Sequence, residues 1–325
     1  MFSRLLDLLT RYQLALILLA LIAGLVYPAI FLPLNPWNGF FLQTIMFATG
    51  LRLDFTEFLR EARDWRTLVL ANSMMLVILP FLVSIPLNVF AKDWSLPFVL
   101  AAAMPTGLTA PAVVTILGGR TSLALLISVS TSLLSPLAIP LVLRAILGET
   151  IFIDTVGMML NIASVVILPL VLSAAIQWWL GRKKIERAAI PIRLINLAAF
   201  ALVIASVSAG SASGTSGETG FSALGRDGVI IVILMTVFWC GIAWLAGAML
   251  AWRNAMDRMT VAFCLIYMNT TLAVWVADRF FNQTNIAPKL VAVFIATTLV
   301  LPVFKLLVPK ERRGEYRKVY AVEQI

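Results

Sequence analysis

The chain alternates between long apolar stretches and short polar or basic ones. Ten stretches stand out, at 13–33, 38–53, 67–90, 96–118, 121–145, 155–181, 190–209, 228–252, 259–281 and 288–308. A transmembrane helix needs roughly 20 predominantly apolar residues, and these stretches are of that order. The segment Ala209–Gly220 (AGSASGTSGETG) is Gly/Ser-rich with no apolar face, which predicts a flexible connector. The segment Thr56–Arg66 (TEFLREARDWR) reads either as a short amphipathic helix lying on the membrane surface or as a charged loop. The pattern predicts an all-α polytopic membrane protein with ten transmembrane helices.

Two of the ten are interrupted at their centres. The fourth carries Met104-Pro105-Thr106-Gly107-Leu108-Thr109-Ala110-Pro111, and the ninth carries Tyr267-Met268-Asn269-Thr270-Thr271-Leu272. Backbone freed from a helix at membrane depth is tolerated only where protein buries it or a cavity solvates it. Breaks at matching positions in two halves of a chain point to inverted repeats with a transport site between them. The expected organisation is a first repeat over 1–150 (spans one to five) and a second over 151–325 (spans six to ten), together forming one membrane domain.

Composition supports the membrane reading and limits the chemistry. Hydrophobic residues make up 61% of the chain and charged residues 13%, with a mean hydropathy of +0.97; soluble domains carry about a quarter charged residues. There is no histidine, which removes imidazole metal ligands and the usual neutral-pH switch. The two cysteines, Cys240 and Cys264, both lie within apolar spans and read as small buried side chains rather than a disulfide framework.

The net charge of +9 is a matter of topology. Of the 25 Lys and Arg residues, 20 fall at the N-terminus, the C-terminus and the even-numbered loops. Only Lys92, Arg144, Arg226, Arg279 and Lys289 fall on the opposite side. This positive-inside bias predicts cytoplasmic N- and C-termini, in a bacterial inner (plasma) membrane, and no nucleic-acid partner. The basic, apolar N-terminus has no convincing small-residue cleavage site, which argues against a removable signal peptide.

The breaks themselves suggest binding chemistry. Proline has no backbone N–H to donate and clashes with the preceding turn, so Pro105, Gly107 and Pro111 are the expected helix breaks, unwinding about one turn. The N-terminus of the following half-helix would offer positive partial charge to an anion, with hydroxyls from Thr106 and Thr109. The ninth span groups Asn269, Thr270 and Thr271, which need polar partners in an apolar setting. The competing account is that prolines kink many membrane helices, and that Ser and Thr bond back to their own helix without function. In the fifth span, Ser128, Ser130, Thr131, Ser132 and Ser135 form a stripe that small-residue helix packing largely explains. Ser128 alone is carried forward from this stripe as a candidate site residue.

No Asp or Glu lies near the middle of any span; Asp54, Asp154 and Asp278 sit at span ends, and Arg120 falls in a loop. Ion-coupled carriers commonly keep a buried acid. With no histidine, no nucleophile–base pair and no buried acid, an enzyme is not expected.

Several stretches resemble the bile acid:sodium symporter (SBF-like) family. Met46-Phe47-Ala48-Thr49-Gly50-Leu51-Arg52-Leu53, followed by Phe55, is similar to that family's second-span pattern. Pro105–Thr115, then Gly119, then Ser135-Pro136 with Pro140, run without gaps along its fourth and fifth spans, and Asn269 with Leu272-Ala273 matches its ninth-span asparagine. The resemblance implies a panel group and a core group of helices, with the fourth and ninth spans crossing in the core.

The departures fall where that family binds sodium. Its fourth-span Ser-Asn pair becomes Ala110-Pro111, its ninth-span glutamate falls on Cys264, and its glutamine falls on Met268. A third-span glutamine has no counterpart; Met75 stands there, with Asn72 the nearest amide. Sodium favours hard oxygen ligands over sulfur, so coupling through the family's ligand set is not expected. Of the positions the resemblance implies, Asn269 and Ser128 keep ligand-capable side chains as candidate ion ligands; sodium is the one ion the resemblance brings in, and no cofactor and no other metal is expected. The leading expectation is a secondary transporter of a small or medium organic anion, working by alternating access, with Thr106, Thr109, Asn269, Thr270 and Thr271 lining the site. The alternative is a non-transporting membrane scaffold or sensor derived from the same fold.

Overall fold

The computed structural model describes residues 13–53, 63–107, 110–148, 154–212 and 225–281, together with 286, 289, 290, 293, 296, 297 and 300. Among these residues the protein is all-helical. The elements are α1 (Gln13–Val26), α2 (Asn38–Gly50), α3 (Trp65–Phe90), α4 (Lys92–Ala102), α5 (Ala110–Leu117), α6 (Thr121–Leu147), α7 (Thr155–Leu180), α8 (Ala189–Ala212), α9 (Gly225–Met249), α10 (Ala255–Ile266) and α11 (Thr270–Phe280). Five of them, α3, α6, α7, α8 and α9, are long and apolar enough to cross a membrane.

Most of these elements fall within a few residues of the apolar stretches, but the first stretch, 13–33, is not one helix: α1 ends at Val26, ahead of Pro28, and a short helix (Pro28–Phe31) and a 3-10 helix (Leu32–Trp37) follow. The third stretch starts two residues earlier than the hydropathy suggests, at Trp65, and α8 runs on through Ala209–Ala212, the first four residues of the expected Gly/Ser-rich connector, which are therefore helical. Both additions are short polar turns that hydropathy scores poorly but that continue an existing helix. Residues 56–62 of the surface segment, residues 213–220 of the connector and most of the tenth stretch lie outside the described residues.

The helices sort into two packing groups. In the first, α8 lies against α1 and α2, and α7 also lies against α2. Here small residues allow close approach: a Cβ at Gly24 would meet the Ala205 backbone, and one at Gly50 would meet the Ser173 side chain. Amides bind the group together, as is usual where lipid supplies no hydrophobic drive between helices. Gln177 donates to the Gly50 carbonyl at 2.7 Å, Asn196 to Thr49 Oγ1 at 3.0 Å, and Ser206 to Asn38 Oδ1 at 2.6 Å.

The second group is built around the two breaks, and the main core spans both groups: it takes in Leu42 and Met46 of α2 and Met158 and Ile162 of α7, which packs on α6 as well as on α2. Phe98, Met104, Leu126, Ile127, Trp239 and Phe263, drawn from α4, the first break, α6, α9 and α10, are all at most 2% exposed. The outer faces are apolar as well, with Leu137, Leu160, Ile233 and Val237 exposed, as expected where the solvent is hydrocarbon. Inside α3, the turn Met74–Ile78 is a π-helix just ahead of Pro80. Such segments widen the backbone locally and occur at functional sites.

Candidate functional site

Both interrupted stretches break where the sequence places the interruptions. The fourth stops at Ala102 and restarts at Ala110; the ninth stops at Ile266 and restarts at Thr270. Pro105 and Gly107 lie in the first gap. Pro111 does not break the helix: it is the second residue of α5. The first helical turn is where proline is accommodated, because its missing N–H would have no intrahelical partner there and its fixed φ suits the helix. The unwinding therefore rests on Pro105 and Gly107, and Pro111 helps to start the second half-helix.

The two gaps meet. Thr106 and Met268 form an isolated antiparallel bridge. The Gly107 N–H donates to the Tyr267 carbonyl at 2.7 Å, and the Asn269 N–H donates to the Pro105 carbonyl at 2.8 Å. Each break thus satisfies backbone groups that the other leaves open, which is what buried non-helical backbone requires. Glycine is needed at 107 by space, since a Cβ there would lie 2.9 Å from Tyr267 Cδ1 and 3.2 Å from the Met268 carbonyl oxygen. The Tyr267 ring stacks on Phe263 with centroids 5.3 Å apart.

The predicted site side chains divide into those already occupied and those still open. Thr106 is fully buried: its hydroxyl lies 3.1 Å from the Cys264 carbonyl and 3.2 Å from Met75 Sδ, and its N–H donates to Thr131 Oγ1 at 3.2 Å. Asn269 is the N-cap of α11, its Oδ1 accepting from Leu272 N–H at 3.1 Å and from the Thr271 hydroxyl at 2.7 Å. This capping is the local reason for an asparagine at that point. Thr270 is half-buried. Thr109 lies outside the described residues.

In α6, Ser130, Thr131, Ser132 and Ser135 all donate to carbonyls three or four residues back. Ser128 is the exception: it is 2% exposed and its hydroxyl has no hydrogen-bond partner. Asn72 shows a related imbalance. Its Nδ2 donates to Ser130 Oγ at 3.0 Å and to the Leu68 carbonyl at 2.8 Å, while its buried Oδ1 is unpartnered. The structure thus brings Thr106, Thr131, Met75 and Cys264 together around the bridge.

The sequence reading missed two features. Tyr267 packs across Gly107, a role that only the three-dimensional crossing reveals. Asp257 is 2% exposed and pairs with Arg120 and Arg253. The Asn254-x-x-Asp257 spacing, a helix-start pattern, was its one available signal.

The positions that carry sodium ligands in the resembled family also collect here. Ala110 opens α5, Cys264 has a fully buried side chain, and Met268 sits in the bridge itself. Their side chains are apolar or sulfur-bearing, a poor ligand set for a hard cation. Among the described residues no cluster of three or more His, Cys, Asp or Glu side chains is placed to hold a metal.

Two comparisons with known proteins agree with this architecture. The uncharacterized sodium-dependent transporter YocS of Bacillus subtilis (strain 168) is 22% identical over 277 residues, covering 82% of this chain and 82% of that protein. The family model of the SBF-like CPA transporters matches residues 11–313, nearly the whole chain. With its membrane-length helices, the protein is an integral membrane protein, and it belongs to the SBF-like CPA transporter family.

Proposed function

We propose that the protein is a secondary transporter of a small or medium organic anion, operating by alternating access around the meeting point of its two broken spans. The carrying observation is the antiparallel bridge between Thr106 and Met268. Four helix ends converge on it: the C-terminal ends of α4 and α10 and the N-terminal ends of α5 and α11. The two N-terminal ends offer positive partial charge to an anion, and Thr270, the half-buried hydroxyl beside them, is the natural first contact. Thr106, Thr271 and Asn269 shape the site from behind. In this reading the chain has ten spans in two inverted five-helix repeats, with both termini in the cytoplasm of a bacterial cell.

The driving ion is proposed separately. The relative YocS is described as sodium-dependent, which favours sodium. The side chains at Ala110, Pro111, Cys264 and Met268 argue against sodium held in the family's usual manner. Two buried oxygens without partners, Asn72 Oδ1 and Ser128 Oγ, are the hard atoms still open near the crossing. Weighing four replaced ligand positions against two single oxygens, the reading is that sodium does not couple through the family's usual site. Uptake into proteoliposomes, with choline replacing sodium outside, tests it. Undiminished uptake supports the reading, and loss of uptake counts against it.

One observation favours the scaffold alternative: the Thr106, Thr271 and Asn269 side chains already have partners inside the protein. The same proteoliposomes discriminate, because a scaffold gives no saturable flux with any anion of a broad panel.

A further inference from the structure

We propose that Asp257 is a positioning residue for the crossing: with Arg120 and Arg253 it clasps the far ends of α5 and α10, so that the two half-helices act as one rigid piece. The inference rests on the reading that the crossing is the transport site, and it concerns what holds that site in register.

α5 and α10 are short, at 8 and 12 residues. Isolated helices of fewer than about 12–15 residues are marginal on their own, so their relation to one another must be fixed from outside. At one end the bridge does this with two backbone hydrogen bonds. At the other, α5 closes in a Schellman turn: Gly118 takes φ 78°, Gly118 N–H bonds the Thr115 carbonyl at 3.1 Å, and Gly119 N–H bonds the Val114 carbonyl at 2.9 Å.

That turn delivers the next residues directly onto α10. A Cβ at Gly119 would meet Thr260 Oγ1 at 2.8 Å. The Arg120 N–H donates to Thr260 Oγ1 at 2.8 Å, and its guanidinium Nη1 lies 3.3 and 3.4 Å from the two Asp257 oxygens.

Asp257 is held there from several sides. It is 2% exposed, stands in the first turn of α10 where the helix dipole favours an anion, and its N–H is capped by Asn254 Oδ1 at 2.8 Å. Arg253 Nη2 approaches Asp257 at 2.9 Å and reaches Asp64, next to the start of α3, at 2.6 Å. The network therefore ties the α2–α3, α5–α6 and α9–α10 connections together at one end of the molecule. Exposed ion pairs contribute little to stability, but removing one partner from a buried pair leaves an uncompensated charge and loosens what it joined. A clasp at each end prevents α5 from sliding or pivoting on α10.

Hydrogen–deuterium exchange of the purified protein, read at the peptides covering 105–107 and 267–269, tests this without a substrate. Failure of the clasp is thereby separated from failure of the transport reading. Asp257→Asn should speed exchange of the Gly107 and Asn269 amides by about tenfold while α1, α2 and α8 are unchanged. Asp257→Glu should restore slow exchange. Unchanged exchange at the crossing in folded Asp257→Asn, or an equal rise across every helix, overturns the proposal. If Asp257→Asn does not fold, Arg120→Gln, which removes the cation that Asp257 faces, decides instead. A rise confined to the crossing supports the clasp, and no rise or a uniform rise overturns it.

Discussion

Asn269 and Pro105 face each other across the two broken spans, the backbone N–H of one donating to the carbonyl of the other at 2.8 Å. The side chain of Asn269 at the same time caps the helix that begins beside it. One residue therefore closes the pairing and starts α11, which makes it the most informative position to alter.

Asn269→Ala keeps the backbone bond and loses the cap, a change worth about 1 kcal/mol of stability. The protein should remain folded, with a modest drop in melting temperature, and anion uptake should be lost. Wild-type uptake by this variant would remove Asn269 from the proposed site.

Gly107→Ala pushes a methyl group into the Tyr267 ring and the Met268 carbonyl. Overpacking of this kind costs about 1–3 kcal/mol. Combining it with Tyr267→Ala should recover part of the loss in a double-mutant cycle on melting temperature, because the ring is one of the two obstacles. Strict additivity would mean that ring and glycine are not in contact.

The glycines of the α1–α2–α7–α8 group should differ in tolerance. A Cβ at Gly24 meets the Ala205 backbone, whereas one at Gly50 meets the Ser173 side chain. Gly24→Ala should therefore lower the melting temperature more than Gly50→Ala, and Ser173→Ala, which removes the hydroxyl but leaves the Ser173 Cβ at 2.9 Å, should recover part of the second loss and none of the first. Rescue of neither, measured by thermal unfolding in detergent, would contradict the packing described.

The two cysteines should react at different rates. Cys264 is fully buried beside the crossing and Cys240 is partly exposed. With the protein in detergent at alkaline pH, where the thiols can ionise, a small maleimide should label Cys240 before Cys264, which should react only under conditions that open the crossing. Equal rates, read by mass spectrometry of the intact protein, would show that the crossing is open in the resting state.

Much of this architecture was legible in the chain because hydrocarbon imposes a strong constraint on it. A span in lipid must be apolar over its length, so the boundaries of α3, α6, α7 and α9 follow from hydropathy almost directly. The breaks were legible for the same reason: Pro105, Gly107 and the Asn269-Thr270-Thr271 group are out of place in an uninterrupted membrane helix. Pro111 misled because proline signals a helix break and a helix start alike, and the distinction depends on where the first turn falls. Asp257 was hidden because an acid at a span boundary ordinarily faces water. Its burial depends on Arg120 and Arg253, and nothing local in the sequence says that Arg120 returns to it. The hydroxyl stripe of α6 is similar: only the paths of the individual hydroxyls separate Ser128 from its neighbours.

Pro105 gives the crossing a direction. The bridge is held by one carbonyl and one N–H on either side of Thr106, at Pro105 and Gly107. Sliding the first break by two residues, so that Pro105 stood where Gly107 stands, would call for an N–H that proline does not have. Movement in that sense forfeits one of these two backbone bonds between the breaks, whereas movement in the other sense does not meet this obstacle. The proline that unwinds the span thus also fixes the register in which the two breaks can pair.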